Sequence, residues 1–147
     1  MKSARLSLLA LLTFTSCGVV HEWNEVQSVP MTLADCYDGI VDTATTVGLV
    51  PDISVCDRGL AIWQSKWREV SLRPFGLGRF RLRAEVLLEE GSAERGWVVQ
   101  FAFEREKVGD PRRERSPIEE DWQADGQDRE KEALFGERLR RRVGVKT

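Results

Sequence analysis

The first cysteine of the chain lies directly behind a basic and apolar leader. Lys2 and Arg5 begin this segment, and residues 6–14 then form an apolar run with only two polar interruptions. A helix that crosses a membrane needs about 20 apolar residues, so this shorter run is typical of a secretory signal sequence. It ends in Thr15-Ser16-Cys17, which places a thiol after two small residues. Cys17 is therefore the residue at which the sequence indicates chemistry most directly.

Residues 14–17 resemble the lipobox of bacterial lipoprotein precursors, and the resemblance covers residues 1–18. It implies that the Cys17 thiol carries a diacylglyceryl group, that the chain is cut just before Cys17, and that the new amino terminus is acylated. Two or three acyl chains hold a protein on a membrane stably, whereas one chain binds only marginally. Gly18 follows the cysteine, and in this family a residue other than Asp there favours the outer membrane. The alternative is an incidental cysteine in a conventional cleavage region, which leaves the mature protein free in the periplasm.

This resemblance divides the chain into a lipoprotein signal peptide at residues 1–16, an acylated N terminus and tether at residues 17–30, and a single α+β domain at residues 31–147. The full length of 147 residues, with 41% hydrophobic and 31% charged content, fits one modest domain. Loss of the leader changes the formal charge from −2 to −4, because it removes two basic residues and no acidic ones. Without a basic excess, the composition disfavours a nucleic-acid partner.

Two cysteines, Cys36 and Cys56, remain after the predicted lipid site. The envelope is an oxidising compartment, so an even remainder favours a disulfide, which closes a loop of about 20 residues and stabilises a fold by roughly 3 kcal/mol. The alternative is a pair of buried reduced thiols. The two form no CxxC motif, and the only histidine, His21, lies in the predicted tether without an acidic partner in the sequence pattern. The sequence therefore predicts no catalytic site, no metal site and no cofactor.

A helix and then a series of strands must hold these residues. Apolar residues at helical spacing from Leu33 to Val47 predict an amphipathic helix that begins after Thr32 and turns Cys36 inward. Alternating segments then predict four strands, with a tight turn at residues 57–59, and a second helix follows Asp128. We expect an α+β two-layer sandwich with an N-terminal helix, a four-stranded antiparallel meander and a C-terminal helix.

Arg79, Arg81 and Arg83 alternate with apolar residues along the third predicted strand, so they form a row on the open face of the sheet. Such a row suits anionic lipid, the phosphates of an anionic glycolipid, or an acidic protein. The alternative is an ordinary solvated face on which Glu104 and Glu106 lie across from the arginines.

Taken together, the sequence predicts a lipid-anchored, noncatalytic binding or scaffold protein of the bacterial cell envelope, on the outer membrane facing the periplasm. Its expected partners are the membrane, through the N-terminal acyl chains, and an envelope protein or anionic glycolipid. Its architecture is similar to that of small accessory lipoproteins of outer-membrane assembly machines, although no residue outside the lipobox supports a transfer of function. The alternative is a small-molecule carrier or an enzyme that uses a pocket between sheet and helices, where a buried carboxylate would act.

Overall fold

Six strands and two α-helices form the part of the chain that the computed structural model describes, residues 21–74 and 76–144. In chain order they are β1 (Asn24–Gln27), α1 (Leu33–Thr46), β2 (Ile62–Gln64), β3 (Arg68–Ser71), β4 (Leu77–Ser92), β5 (Gly96–Val108), β6 (Trp122–Gln127) and α2 (Arg129–Val143). The fold is mixed α+β, in agreement with the sequence. The predicted signal peptide and Cys17 lie outside the described residues. None of the helices in the described ranges is long and apolar enough to span a bilayer.

The sheet is built on the long antiparallel hairpin of β4 and β5. β1 and β6 both pair with the free side of β5, at Val98–Phe101 and at Glu104–Val108 respectively. On the other side, β2 and β3 pair with successive parts of β4. The described part of the chain thus has six antiparallel strands, and not the four-stranded meander that the sequence predicts. The additional strands are short edge strands, which carry too few residues to show an alternating pattern.

Residues 24–27 belong to the sheet, whereas the sequence predicts a tether that continues to residue 30. Val26 is buried, and its register places it beside Val99 in the core. The residues before β1 are also held, because the Glu22 backbone exchanges two hydrogen bonds with the Gln127 side chain. A segment this short gains its stability from pairing with β5, which no local periodicity reveals.

Helices α1 and α2 cover one face of the sheet, and the core lies between the two layers. The Thr32 hydroxyl caps α1 by accepting a hydrogen bond from the Asp35 N–H at 3.1 Å, as the sequence predicts. Asp128 caps α2 in the same way. The helices cross closely at Gly39, where a Cβ atom would lie 2.2 Å from Val143 Cγ1. The crossing therefore depends on a residue without a side chain.

The predicted hairpin around residues 57–59 forms only in part. Asp57 and Ile62 make an isolated bridge across this turn, and Ile62 then begins β2. Residues 53–55 form a turn in place of the strand that the alternating pattern from Ile53 predicts, and Ile53 is 85% exposed. The apolar residues of that segment meet no facing layer, so their alternating pattern has no sheet to stabilise it.

Candidate functional site

The arginine row predicted from the sequence lies on the sheet face that the helices leave open. Its first two members face carboxylates on β5, because the register pairs Arg79 with Glu106 and Arg81 with Glu104. The Arg79 Nε donates to Glu106 at 2.7 Å, and the Arg81 Nε donates to Glu104 at 2.5 Å. Arg83 also reaches Glu104, at 3.2 Å. The row is therefore a set of cross-strand ion pairs, which offers an anionic partner less positive charge than the sequence suggests.

Two tryptophans complete this surface. The Arg79 guanidinium packs on the rings of both Trp67 and Trp122, at 4.5 Å and 4.4 Å from their centres. Arg81 lies 4.3 Å from the Trp67 ring centre. We call these four residues the arginine–tryptophan ladder. Trp67 lies in the connection between β2 and β3, beside β4, and Trp122 begins β6, beside β5. The ladder therefore links the strands on the two sides of the central β4–β5 hairpin.

Arg79 is the most enclosed member of the ladder, with 7% of its surface exposed. Besides Glu106, it donates two hydrogen bonds to Glu119 at 2.9 Å and 2.5 Å. Burial disfavours its charged form, but the bonds to Glu119 and Glu106 outweigh this and raise the pKa of Arg79. The same bond lowers the pKa of the Glu119 carboxyl. This guanidinium therefore stays charged and engaged within the protein.

His21 contacts the same surface, although the sequence gives it no acidic partner. Its Nε2 lies 3.0 Å from Glu104 Oε1, and its ring packs 5.7 Å from that of Trp23. The partner is more than eighty residues away along the chain, so only the pairing of β1 and β6 with β5 brings the two together. Trp23 is half-buried and packs beside the domain's own surface.

The two cysteines of the domain are free thiols in this structure, so the predicted disulfide between Cys36 and Cys56 is not formed. Cys36 is fully buried on α1, and burial raises the pKa of its thiol to about 11, with a hydrogen bond to Ser28 acting weakly in the opposite direction. The Cys56 sulfur instead donates to the Gln64 carbonyl at 3.3 Å and accepts from the Gln64 N–H at 3.4 Å. Each thiol has its own packing or hydrogen-bonding role.

Glu132 is a fully buried carboxylate that no sequence pattern indicates. Glu132 on α2 accepts hydrogen bonds from the Phe103 N–H at 3.0 Å, from the Gln127 side chain at 2.6 Å and from Arg129 at 3.1 Å. These three donors use both carboxylate oxygens. Glu132 therefore fastens α2 to the sheet, and its position after a helix cap gave no signal of this role.

An apolar recess of about 370 Å³ opens between the end of α1, strand β3 and α2. We call it the α2–β3 groove. Its lining is mostly aliphatic and aromatic and comprises Val47, Leu49, Val70, Phe80, Phe103, Leu134 and Phe135, with Arg68, Glu69 and Lys131 as the charged members. A concave, mainly apolar recess with a few charged groups is the usual form of a small-molecule site.

The groove exists because the helical layer is narrower than the sheet. Arg68 and Val70 lie on the same face of β3 as the core residue Phe80 on β4, yet β3 is exposed along its whole length. α1 ends at Thr46, so it has no further turn to cover this strand. Leu134 on α2 is consequently 46% exposed and Val70 is 38% exposed.

The charged side chains at the groove differ in whether they are paired. Lys131 Nζ lies 4.7 Å from the centre of the Phe80 ring and pairs with Asp128 at 2.9 Å. Arg68 takes part in none of the ion pairs among the described residues, and its guanidinium lies beside Gly48 at the end of α1. Glu69 alternates to the open face, where its cross-strand neighbour is Arg79. Arg68 is therefore the cation of the groove lining that has no ion pair among the described residues.

No family model, curated protein or solved structure matches the chain. Within residues 21–74 and 76–144, no three His, Cys, Asp or Glu side chains lie close enough together to hold a metal ion. The candidate site therefore depends on the groove's own geometry.

Proposed function

We propose that this protein is a lipid-anchored, noncatalytic binding protein of the bacterial cell envelope, held on the outer membrane facing the periplasm, which receives its ligand in the α2–β3 groove. The observation that carries the proposal is the groove itself, a recess at whose rim Val70 and Leu134 are partly exposed to solvent. The aromatic side chains beneath them are buried. Exposed apolar recesses of this kind mark ligand or partner sites on soluble domains.

The position of β1 supports a domain that stays close to its anchor. The structure is held from His21 and Glu22 onward by Glu104 and Gln127. Only residues 18–20 separate His21 from the predicted lipid site at Cys17. Four Cα–Cα steps span at most about 14 Å, so an acylated Cys17 keeps the domain beside the bilayer surface and within reach of envelope lipids.

The groups available for catalysis support binding in preference to an enzyme. Glu132 is occupied by three donors and faces β5, outside the groove lining. Cys36 is buried and its raised pKa keeps the thiol protonated at neutral pH, where a nucleophile needs the thiolate. A small-molecule carrier remains the second candidate function, and the enclosed apolar floor of the groove favours it over a scaffold with a flat surface.

Two measurements on the protein from its native membrane test this proposal. Intact-mass analysis should give the mature chain from Cys17 with added acyl mass. A photo-crosslinking amino acid at Val70, inside the groove, should capture one recurrent species in intact cells, while the same probe at Leu88, which is similarly exposed but outside the groove, should not. An unmodified N terminus overturns the anchor. Equal capture from both positions overturns the groove as the binding site.

A further inference from the structure

We propose that the ligand of the α2–β3 groove is a single-chain anionic amphiphile, such as a fatty acid or a lysophospholipid, whose acyl chain lies on the groove floor and whose head group meets Arg68 and Lys131. This inference rests on the proposed binding function and names the chemical class of its ligand.

The apolar part of the ligand follows from the floor of the groove. Phe80, Phe103 and Phe135 form an aromatic base, and the aliphatic walls above them carry no hydrogen-bonding side-chain atoms. A polar ligand group placed there would lose its hydrogen bonds to water without replacement. The volume of 370 Å³ equals about twelve molecular volumes of liquid water. That size suits one acyl chain better than the two chains of a diacyl lipid.

The head group follows from the charges. Arg68 offers a guanidinium without a carboxylate partner in the described chain, and such groups bind carboxylates and phosphates through paired hydrogen bonds. The Lys131 ammonium lies over the Phe80 ring and also forms an ion pair with Asp128. Because Lys131 already pairs with Asp128 and Glu69 also lines the groove, Arg68 is the main attraction for an anionic head group.

An extended peptide that adds to the free edge of β3 is the competing occupant. The edge offers a short strand, Arg68–Ser71, whose burial pattern is exposed throughout. Four residues provide few main-chain hydrogen bonds to an added strand. The amphiphile instead uses the floor and the charges together.

The test uses the full-length chain with Cys17→Ser, so that the result does not depend on the lipid anchor. Titration calorimetry with dodecanoate, below its micelle concentration, should show saturable binding of one molecule. Leu134→Asp should weaken this binding at least about tenfold, because it places a negative charge in the apolar wall. Leu88→Asp makes the same change at a similarly exposed site outside the groove and should leave affinity unchanged.

The head-group prediction has its own comparison. Arg68→Gln should weaken dodecanoate about five- to tenfold but leave dodecanol, the neutral molecule of the same chain, within about twofold of the parent. Arg95→Gln, which removes an exposed arginine from the β4–β5 turn, is the matched control. Lysophosphatidylglycerol in place of dodecanoate distinguishes a phosphate from a carboxylate head group.

Absence of saturable dodecanoate and lysophosphatidylglycerol binding overturns the inference, even if mass analysis confirms the anchor. So does equal weakening by Leu134→Asp and Leu88→Asp, or equal loss of dodecanoate and dodecanol with Arg68→Gln. Recurrent capture of a peptide from Val70 in cells, with no lipid, assigns the groove to the competing occupant. Loss of the anchor alone leaves the calorimetric result standing and refutes only the localisation.

Discussion

Replacing Arg79 by methionine should destabilise the fold by about 3 kcal/mol. Methionine keeps much of the side-chain volume but removes two cation–π contacts, worth about 0.5–1 kcal/mol each, and charge-assisted hydrogen bonds worth about 1.5–3 kcal/mol in net terms. It also leaves Glu106 without its cross-strand partner. The strands on both sides of the β4–β5 hairpin lose a shared contact, because Trp67 and Trp122 both pack on this one guanidinium.

Thermal and urea unfolding, followed by tryptophan fluorescence and circular dichroism, measure this loss. At about 4 °C per kcal/mol for a domain of this size, the Arg79→Met variant should unfold about 12 °C below the parent. Arg83→Met is the matched control, since Arg83 is more exposed and makes one ion pair, so its loss should stay below about 1 kcal/mol. Arg79→Lys should recover only part of the stability, because lysine lacks the planar fork. Equal effects of the two methionine variants would refute the ladder as a structural clamp.

Three further variants test the helices. Asp128→Ala should destabilise the fold by about 1 kcal/mol at pH 7, because the α2 cap is lost. Burial opposes ionisation of Asp128, yet hydrogen bonds from Lys131 lower its pKa below 3.8. The stabilisation by the cap is therefore lost as the pH falls below about 4. Cys36 has a pKa raised from 9.0 to about 11, so the parent should lose stability as the pH rises from 9 to 11, while Cys36→Ala should lack this loss in urea titrations. Gly39→Ala should cost about 1–3 kcal/mol through the clash with Val143, and the double variant with Val143→Ala should cost less than the two single losses combined.

The long elements of the fold follow from local patterns. α1 shows apolar residues at helical spacing, a cap at Thr32 and an inward Cys36, and the structure has all three. The central strands alternate clearly, because one face packs on the helices and the other is polar. β1 and β6 are different, since each is stabilised by pairing with one half of β5 and carries little pattern of its own. Their formation depends on residues far away in the sequence, which periodicity cannot supply.

The candidate site was less accessible to sequence reasoning. Alternation along two adjacent strands predicts that the arginine row lies on the open face of the sheet. The same alternation predicts, as the alternative, that Glu104 and Glu106 lie across from the arginines. The stacking of Trp67 and Trp122 requires two connections to fold over the sheet, and no local signal indicates this. The α2–β3 groove cannot be predicted from local sequence patterns. It forms because β3 extends past the end of α1, and the relative position of two elements is set by the tertiary fold.

The charges on the two faces of the sheet are paired to different extents, and this difference favours the helix side as the place of the proposed binding. On the open face, guanidinium groups meet carboxylates and indole rings from the same chain, so a new partner there must displace existing contacts. In the groove, Leu134 and Val70 remain partly exposed beside Arg68, and covering apolar surface gains about 25 cal/mol per Å². A ligand that binds in the groove gains this term without breaking an internal ion pair of Arg68, whereas one that binds the ladder first loses contacts of Arg79 or Arg81.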